Sequence, residues 1–292
     1  MEMINKYFET YGAAEVDGAV ENRTNEILAG IPKNPEKELL KTLFSLIDLT
    51  TLNTDDNAAK AQKFCTNVNS FADTFKEMSN VAAICVYPAL VKEIKEHLAV
   101  KNVQIAAVGA GFPSSQTFLA VKLAECKLLV EKGADEVDIV ISVGRFLAGE
   151  YDRVFDEIHL IKQTIGDAHL KVILETGLLK TSENIRLASL IAMEAGADFI
   201  KTSTGKLSPA ATPEAVYVML NAIKDYHSKT GRKIGIKPAG GIASVNDALT
   251  YHALVKEILG DEWISQSLFR LGASRLANNL LSAIEGQEIS HF

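Results

Sequence analysis

Eight short apolar runs, separated by stretches with helical character, restrict this chain more than anything else in it. The runs begin near Leu43, Val81, Val103, Glu136, Leu170, Ala197, Lys233 and Leu268. Most are continuous rather than alternating, which marks strands buried on both faces. A helix fits between most neighbours: 36–44, 55–68, 90–97, 116–132, 151–166, 182–195, 213–230, 244–259 and 275–285. Asn53, Thr54 or Asp55 would cap the second of these, and Gly133, Gly196 and Gly231 stop three others. Strand and helix in alternation give a parallel sheet with helices on its faces. Roughly 250 residues arranged so suit an α/β fold of the closed (β/α)8 kind, a TIM barrel. The alternative is an open doubly wound sheet, but no GxGxxG is present.

Residues 1–35 stand apart. They are rich in Glu and Asn, and Pro32 and Pro35 separate them from the rest of the chain. Helices are expected over 4–11 and 19–28. The chain therefore reads as an N-terminal helical extension, 1–35, and a barrel domain, 36–292. The extension would pack on that domain or on an oligomer partner.

Charge and cysteine content narrow the classes. The net charge of −7 disfavours nucleic acid as a partner and favours solubility. No apolar run approaches the roughly 18 residues that span a bilayer. The opening MEMINKYFETYG lacks the features of a secretory signal. Three cysteines, Cys65, Cys85 and Cys126, form no CxxC pair, and the odd number argues against a disulfide framework. A cytoplasmic location is the expectation.

In a barrel of this type, chemistry sits at the C-terminal ends of the strands. Those ends carry Asp48, Cys85, Asp138, Glu175, Lys201, Lys237 and the GAS of 272–274. Lys201 closes the apolar ADFIK, and Lys237 closes KIGIK. A lone lysine at such a place can simply reach solvent along its apolar stem. Two facing one mouth are different. A second ammonium about 4 Å away repels the first by roughly 4 kcal/mol at an effective dielectric near 20. That is about three pKa units. A lysine so placed would be substantially neutral and could attack a carbonyl to form an imine. Phosphate binding, or pairing with Asp48 and Asp138, is the competing use of both amines.

Asp138 lies inside the apolar EVDIVIS. Burial there costs free energy unless a cation meets it, so it reads as a proton relay near Lys237 or as a structural ion-pair partner. Asp48 accepts from a substrate hydroxyl, orients a lysine, or caps a loop. Cys85 is a buried thiol or, less in keeping with its apolar run, a nucleophile. Glu175 lines the mouth or is structural.

Small-residue turns follow the last three strands: STGK (203–206), AGGI (239–242) and GAS (272–274). Backbone N–H groups in such turns cradle anions, and barrel phosphate sites favour the late strands. The six histidines show no ligand-spaced pair at a strand end, so metal chemistry is not expected.

These segments resemble the deoxyribose-phosphate aldolase family. The motifs, in order, are IDLTTLN (47–53), AAICVYP (82–88), GADEVDIV (133–140), LKVILETG (170–177), GADFIKTSTGK (196–206), IKPAGGI (236–242) and FRLGAS (269–274). The chain is similar to the longer subgroup, which carries an N-terminal extension. The resemblance implies a lyase on a (β/α)8 barrel, a class I aldolase needing no cofactor and no metal. It would cleave 2-deoxy-D-ribose 5-phosphate reversibly to glyceraldehyde 3-phosphate and acetaldehyde, in deoxyribonucleoside catabolism. By motif, Lys201 corresponds to the imine-forming lysine, Lys237 to the lysine that lowers its pKa, and Asp138 to the proton-relay aspartate. Asp48 and Cys85 correspond to residues near the substrate. Gly205, Lys206, Gly240, Gly241, Gly272 and Ser274 match the phosphate-binding turns. A homodimer is compatible with the resemblance. Two departures stand out: Arg275 where some members have a second serine, and a terminal Phe292 where some end in a tyrosine that assists proton transfer. The rival readings are a class I aldolase for another sugar phosphate and a non-catalytic barrel that binds sugar phosphate.

Overall fold

The computed structural model describes residues 2–292. Eight strands form its centre: β1 Ile47–Thr50, β2 Ala83–Val86, β3 Gln104–Gly109, β4 Glu136–Val140, β5 His169–Ile173, β6 Phe199–Lys201, β7 Gly235–Lys237 and β8 Leu271–Ala273. Each pairs in parallel with the next as far as β7, and β8 pairs with β1. Two bridges, Ile236 to Phe269 and Ala239 to Gly272, draw β7 and β8 together and close the ring. The expected TIM barrel is therefore present, with helices between the strands.

Local signals explain much of this. Thr212 accepts a hydrogen bond from Ala215 N at 3.2 Å and precedes Pro213, fixing the start of the helix Pro213–Thr230. Ser244 and Asp247 cap Val245–Leu259 reciprocally. The helix Ala58–Asn69 is capped by Asn57, not by the Asn53, Thr54 or Asp55 expected. Leu43 and Phe44, where the expected helix 36–44 overlaps the first apolar run, belong to the helix Lys37–Ser45. Both are fully buried, and continuous burial at one helix turn mimics a strand run. β1 consequently starts at Ile47, where the apolar run was expected to end.

Strand alternation divides the core in two. One set of side chains, such as Ile84, Val137, Ile139, Val172, Ile200 and Ile236, packs outward against the helices. The other fills the barrel. Under β2 and β3 this interior is apolar, with Ala83, Cys85, Ala106 and Val108 clustered apart from the outer core. Under β1 and β4 to β8 it is charged.

Helices Glu2–Tyr11 and Asp17–Leu28 lie against the outside of the barrel. Arg186 Nε donates to Gly12 O at 2.9 Å, Asp17 Oδ1 accepts from Ser182 N at 3.0 Å, and Tyr217 donates to Glu15 at 3.0 Å. Of the two places considered for these helices, this is the chain's own domain. At the other terminus, Phe292 packs its ring on Phe44 and Phe71, and Asn278 binds its backbone. That is the outer helical shell, not the barrel interior. No helix among the described residues is long and apolar enough to cross a membrane.

Candidate active site

The charged half of the barrel is built by period-two placement. Glu136 and Asp138 come from β4, Lys171 from β5, Lys201 from β6, Lys237 from β7, Asp48 from β1, and Arg270 from just before β8. All are at most 3% exposed. Lys201 Nζ lies 2.7 Å and Lys237 Nζ 2.8 Å from the same oxygen, Asp138 Oδ2. The two amines thus share one carboxylate, as neighbours on adjacent strands paired Lys201 to Lys237. Lys237 also lies 2.6 Å from Asp48 Oδ2. Lys171 reaches Asp138 Oδ1 at 3.3 Å, Asp48 at 3.4 Å, and Glu136. Arg270 bonds Asp48 at 2.5 Å and Glu136 at 2.9 Å.

Charge balance in this dry interior is informative. The carboxylates are Asp48, Glu136 and Asp138; Lys171, Lys237 and Arg270 supply three cations without Lys201. Lys201 is the amine whose proton would leave a net charge behind, and buried net charge is expensive. Its pKa is accordingly lowered. Burial is the largest cause; Asp138 opposes it, and the Lys237 ammonium adds to it. From sequence, Lys237 alone was expected to do this. Lys237 itself is held charged: burial works against its proton, but Asp138 and Asp48 outweigh burial. Lys171 is raised in the same way by Asp138, Asp48 and Glu136. Asp138 stays well below the usual carboxylate range because Lys171, Lys201 and Lys237 overcome its desolvation.

Above the lysines opens a cleft of about 340 Å³. It is lined by Lys201, Gly205, Lys206, Gly240, Gly241, Gly272 and Ser274, with Arg275 on its edge. The three small-residue turns therefore converge. Gly240 and Gly241 have φ of +88° and +81°, which expose the backbone of that turn at no steric cost. Gly272 is required by space: a Cβ there would lie 3.1 Å from Lys237 Cε and 2.7 Å from Ala239 Cβ. A larger hollow of about 720 Å³ lies between residues 23–39 and the outer helices, and its lining holds no buried amine.

One placement differs from expectation. Asp48 is neither a strand end nor a loop cap. It is the second residue of β1, fully buried beneath the cleft, because the strand begins at Ile47. Cys85 is a buried thiol inside β2, the first of the two readings given to it, and burial raises its pKa. Neither lines the cleft. Lys171, Glu136 and Arg270 join the site without having been expected there. For Lys171 and Arg270 the signal was the one that exposed Asp138, a charge within an apolar run; Glu136 follows Asp135 at the start of its run. Among the described residues, no group of three or more His, Cys, Asp and Glu side chains is placed to hold a metal ion.

Comparison with known proteins agrees with this geometry. Residues 42–260 match the DeoC/LacD family aldolase profile. The chain belongs to that aldolase family. It is 47% identical over 263 residues to deoxyribose-phosphate aldolase of Homo sapiens, covering 87% of this chain and 81% of the human one. A structure described as a putative deoxyribose-phosphate aldolase from Toxoplasma gondii superimposes with a TM-score of 0.77 at 22% identity, covering 86% and 96% of the two chains. The deoxyribose phosphate aldolase of Aeropyrum pernix, described as a unique tetramer, gives 0.66 at 24% identity, covering 88% and 97%. These two likenesses speak for the fold.

Proposed function

We propose that this aldolase cleaves 2-deoxy-D-ribose 5-phosphate to glyceraldehyde 3-phosphate and acetaldehyde, reversibly, through an imine on Lys201. The observation that carries the mechanism is one carboxylate oxygen, Asp138 Oδ2, within 2.8 Å of two buried amines of opposite pKa direction.

Lys201, as free amine, adds to C1 of the open-chain sugar phosphate, and loss of water gives the iminium. The C3 hydroxyl then gives up its proton to Asp138, directly or through a water held between Asp138 and the Lys237 ammonium. Electrons of the C2–C3 bond move into the iminium, and glyceraldehyde 3-phosphate leaves. The enamine that remains is protonated at carbon, and water hydrolyses the new iminium to acetaldehyde and free Lys201. Until it takes that proton, Asp138 is well placed to stabilise the iminium, because it is held as an anion at 2.7 Å. Lys237 stays charged and can return a proton. Gly205, Lys206, Gly240, Gly241, Gly272 and Ser274 would hold the phosphate, and that binding fixes C1 at the nucleophile. Asp48 would act from below, by holding Lys237. No resident cofactor or metal enters this scheme.

We place the enzyme in the cytoplasm, in keeping with three free, buried cysteines, and take the barrel domain as 36–292, with 1–35 as its extension. A homodimer is the assembly to test by sedimentation.

The decisive experiment is borohydride reduction with acetaldehyde, followed by peptide mass spectrometry. An ethyl adduct on Lys201 is expected. No adduct would point to a barrel that only binds sugar phosphate, and an adduct without turnover of deoxyribose 5-phosphate would point to another substrate.

A further inference from the structure

Glu175 is the second residue after β5, with φ +57° and ψ +56°. This is the left-handed region, which glycine and asparagine occupy readily and glutamate does not. Such a residue persists there only when its surroundings hold it, and this arrangement concentrates at functional sites. Its side chain shows what holds it. The carboxylate is buried, with the residue 2% exposed. Oε1 accepts from Thr204 N at 3.2 Å, and Oε2 accepts from Thr204 Oγ1 at 2.6 Å. Thr204 Oγ1 in turn accepts from Lys206 N at 3.1 Å. Lys206 Nζ then crosses the cleft to Leu52 O. A second tie, Thr176 N to Thr202 O at 3.0 Å, joins the same two segments through their backbones.

The turn Thr204–Lys206 has no regular structure of its own. It begins three residues after the proposed nucleophile and lines the cleft. Without an acceptor, the buried Thr204 N–H would lose its partner and the turn would relax. A carboxylate on the neighbouring strand end therefore determines how far Gly205 and Lys206 stand from Lys201. We propose that Glu175 is a positioning residue for this turn, and that it sets the enzyme's preference for phosphorylated over unphosphorylated sugar. This rests on the proposed role of 205–206 in holding the substrate phosphate.

The readout is the ratio of kcat/KM for 2-deoxyribose 5-phosphate to that for 2-deoxyribose. In Glu175→Ala the ratio should fall about tenfold or more, because the phosphate end no longer registers the reacting carbon. Glu175→Gln, which can still accept from Thr204 N and donate to Thr204 Oγ1, should recover most of it. The acetaldehyde adduct on Lys201 should form in both. A ratio unchanged in Glu175→Ala, or equal losses for the two sugars, would overturn the role. If Glu175→Ala does not fold, Thr204→Val removes the same hydroxyl with little change of shape and is judged by the same ratio. A wild-type enzyme with no preference for the phosphorylated sugar would instead remove the phosphate assignment itself. A wild-type preference that both variants leave intact would overturn Glu175 alone.

Discussion

Lys201 at the mouth of the barrel and Lys171 on its floor differ in one respect. Both are buried, both are single charges in apolar strands, and both contact Asp138. Burial pushes the pKa of each down more than any other single influence does. Yet Lys171 ends raised and Lys201 lowered. The difference is the number of carboxylates within reach. Lys171 has Asp48, Glu136 and Asp138; Lys237, in register with Lys201, has Asp48 and Asp138; Lys201 has Asp138 only. A lysine in a dry interior is made reactive by being given too few anions, and structural by being given enough.

The sharpest way to break this comparison is to remove each lysine in turn. Lys201→Met should reduce turnover by at least about 10⁴-fold and abolish the reduced adduct. Lys171→Met should keep an adduct on Lys201 but lose stability by about 3–5 kcal/mol in urea unfolding, since three carboxylates are left short of a cation. An adduct at Lys171 in the Lys201 variant would show that anion number does not choose the nucleophile.

Next in size is the lysine with two anions. Lys237→Leu should still fold, and should slow turnover by about 10²–10³-fold at neutral pH. An ammonium disfavours a second ammonium beside it, so its loss lets the Lys201 pKa rise. The free amine is the form above that pKa, so the acid limb of the pH–rate profile should move to higher pH. Asp48→Asn acts on the opposite limb. It takes one of two carboxylates from Lys237, so that ammonium loses its proton more easily. The alkaline limb should then move to lower pH. Near-normal rates in Lys237→Leu, or an unmoved alkaline limb in Asp48→Asn, would show that the pair does not work through charge.

Legibility in the sequence followed distance along the chain. Lys201 and Lys237 each end a short apolar run ahead of a small-residue turn, so position and neighbours agreed. Their common partner was also visible, because Asp138 had no other way to be buried. Arg270 and Glu136 were not, although Arg270 breaks an apolar run and Glu136 opens one. They are 134 residues apart, and only closure of the ring brings them to 2.9 Å. Asp48 was identified but set at the wrong height, since the buried helix end at Leu43 and Phe44 imitates strand patterning. Glu175 was seen without a role, because a left-handed backbone leaves no mark on a glutamate in sequence. The tail was equally silent: where Phe292 rests depends on Phe44, Phe71 and Asn278, each far from it in the chain.

The smallest effect is expected from the apolar half of the interior. Cys85 lies as deep as Lys171, fully buried, but its surroundings are Ala83, Ala106 and Val108. Burial raises its thiol pKa; the nearby lysines pull it down and Asp138 pushes it up, and the net result is a thiol that remains protonated at neutral pH. A protonated, enclosed thiol is a poor nucleophile. Cys85→Ala should therefore change turnover by no more than about threefold and stability by about 1 kcal/mol, the cost of a small cavity. Chemical unfolding and steady-state rates measured together separate the two. A hundredfold loss of turnover with stability intact would mean that charge is not what divides the reactive half of the barrel from the inert one.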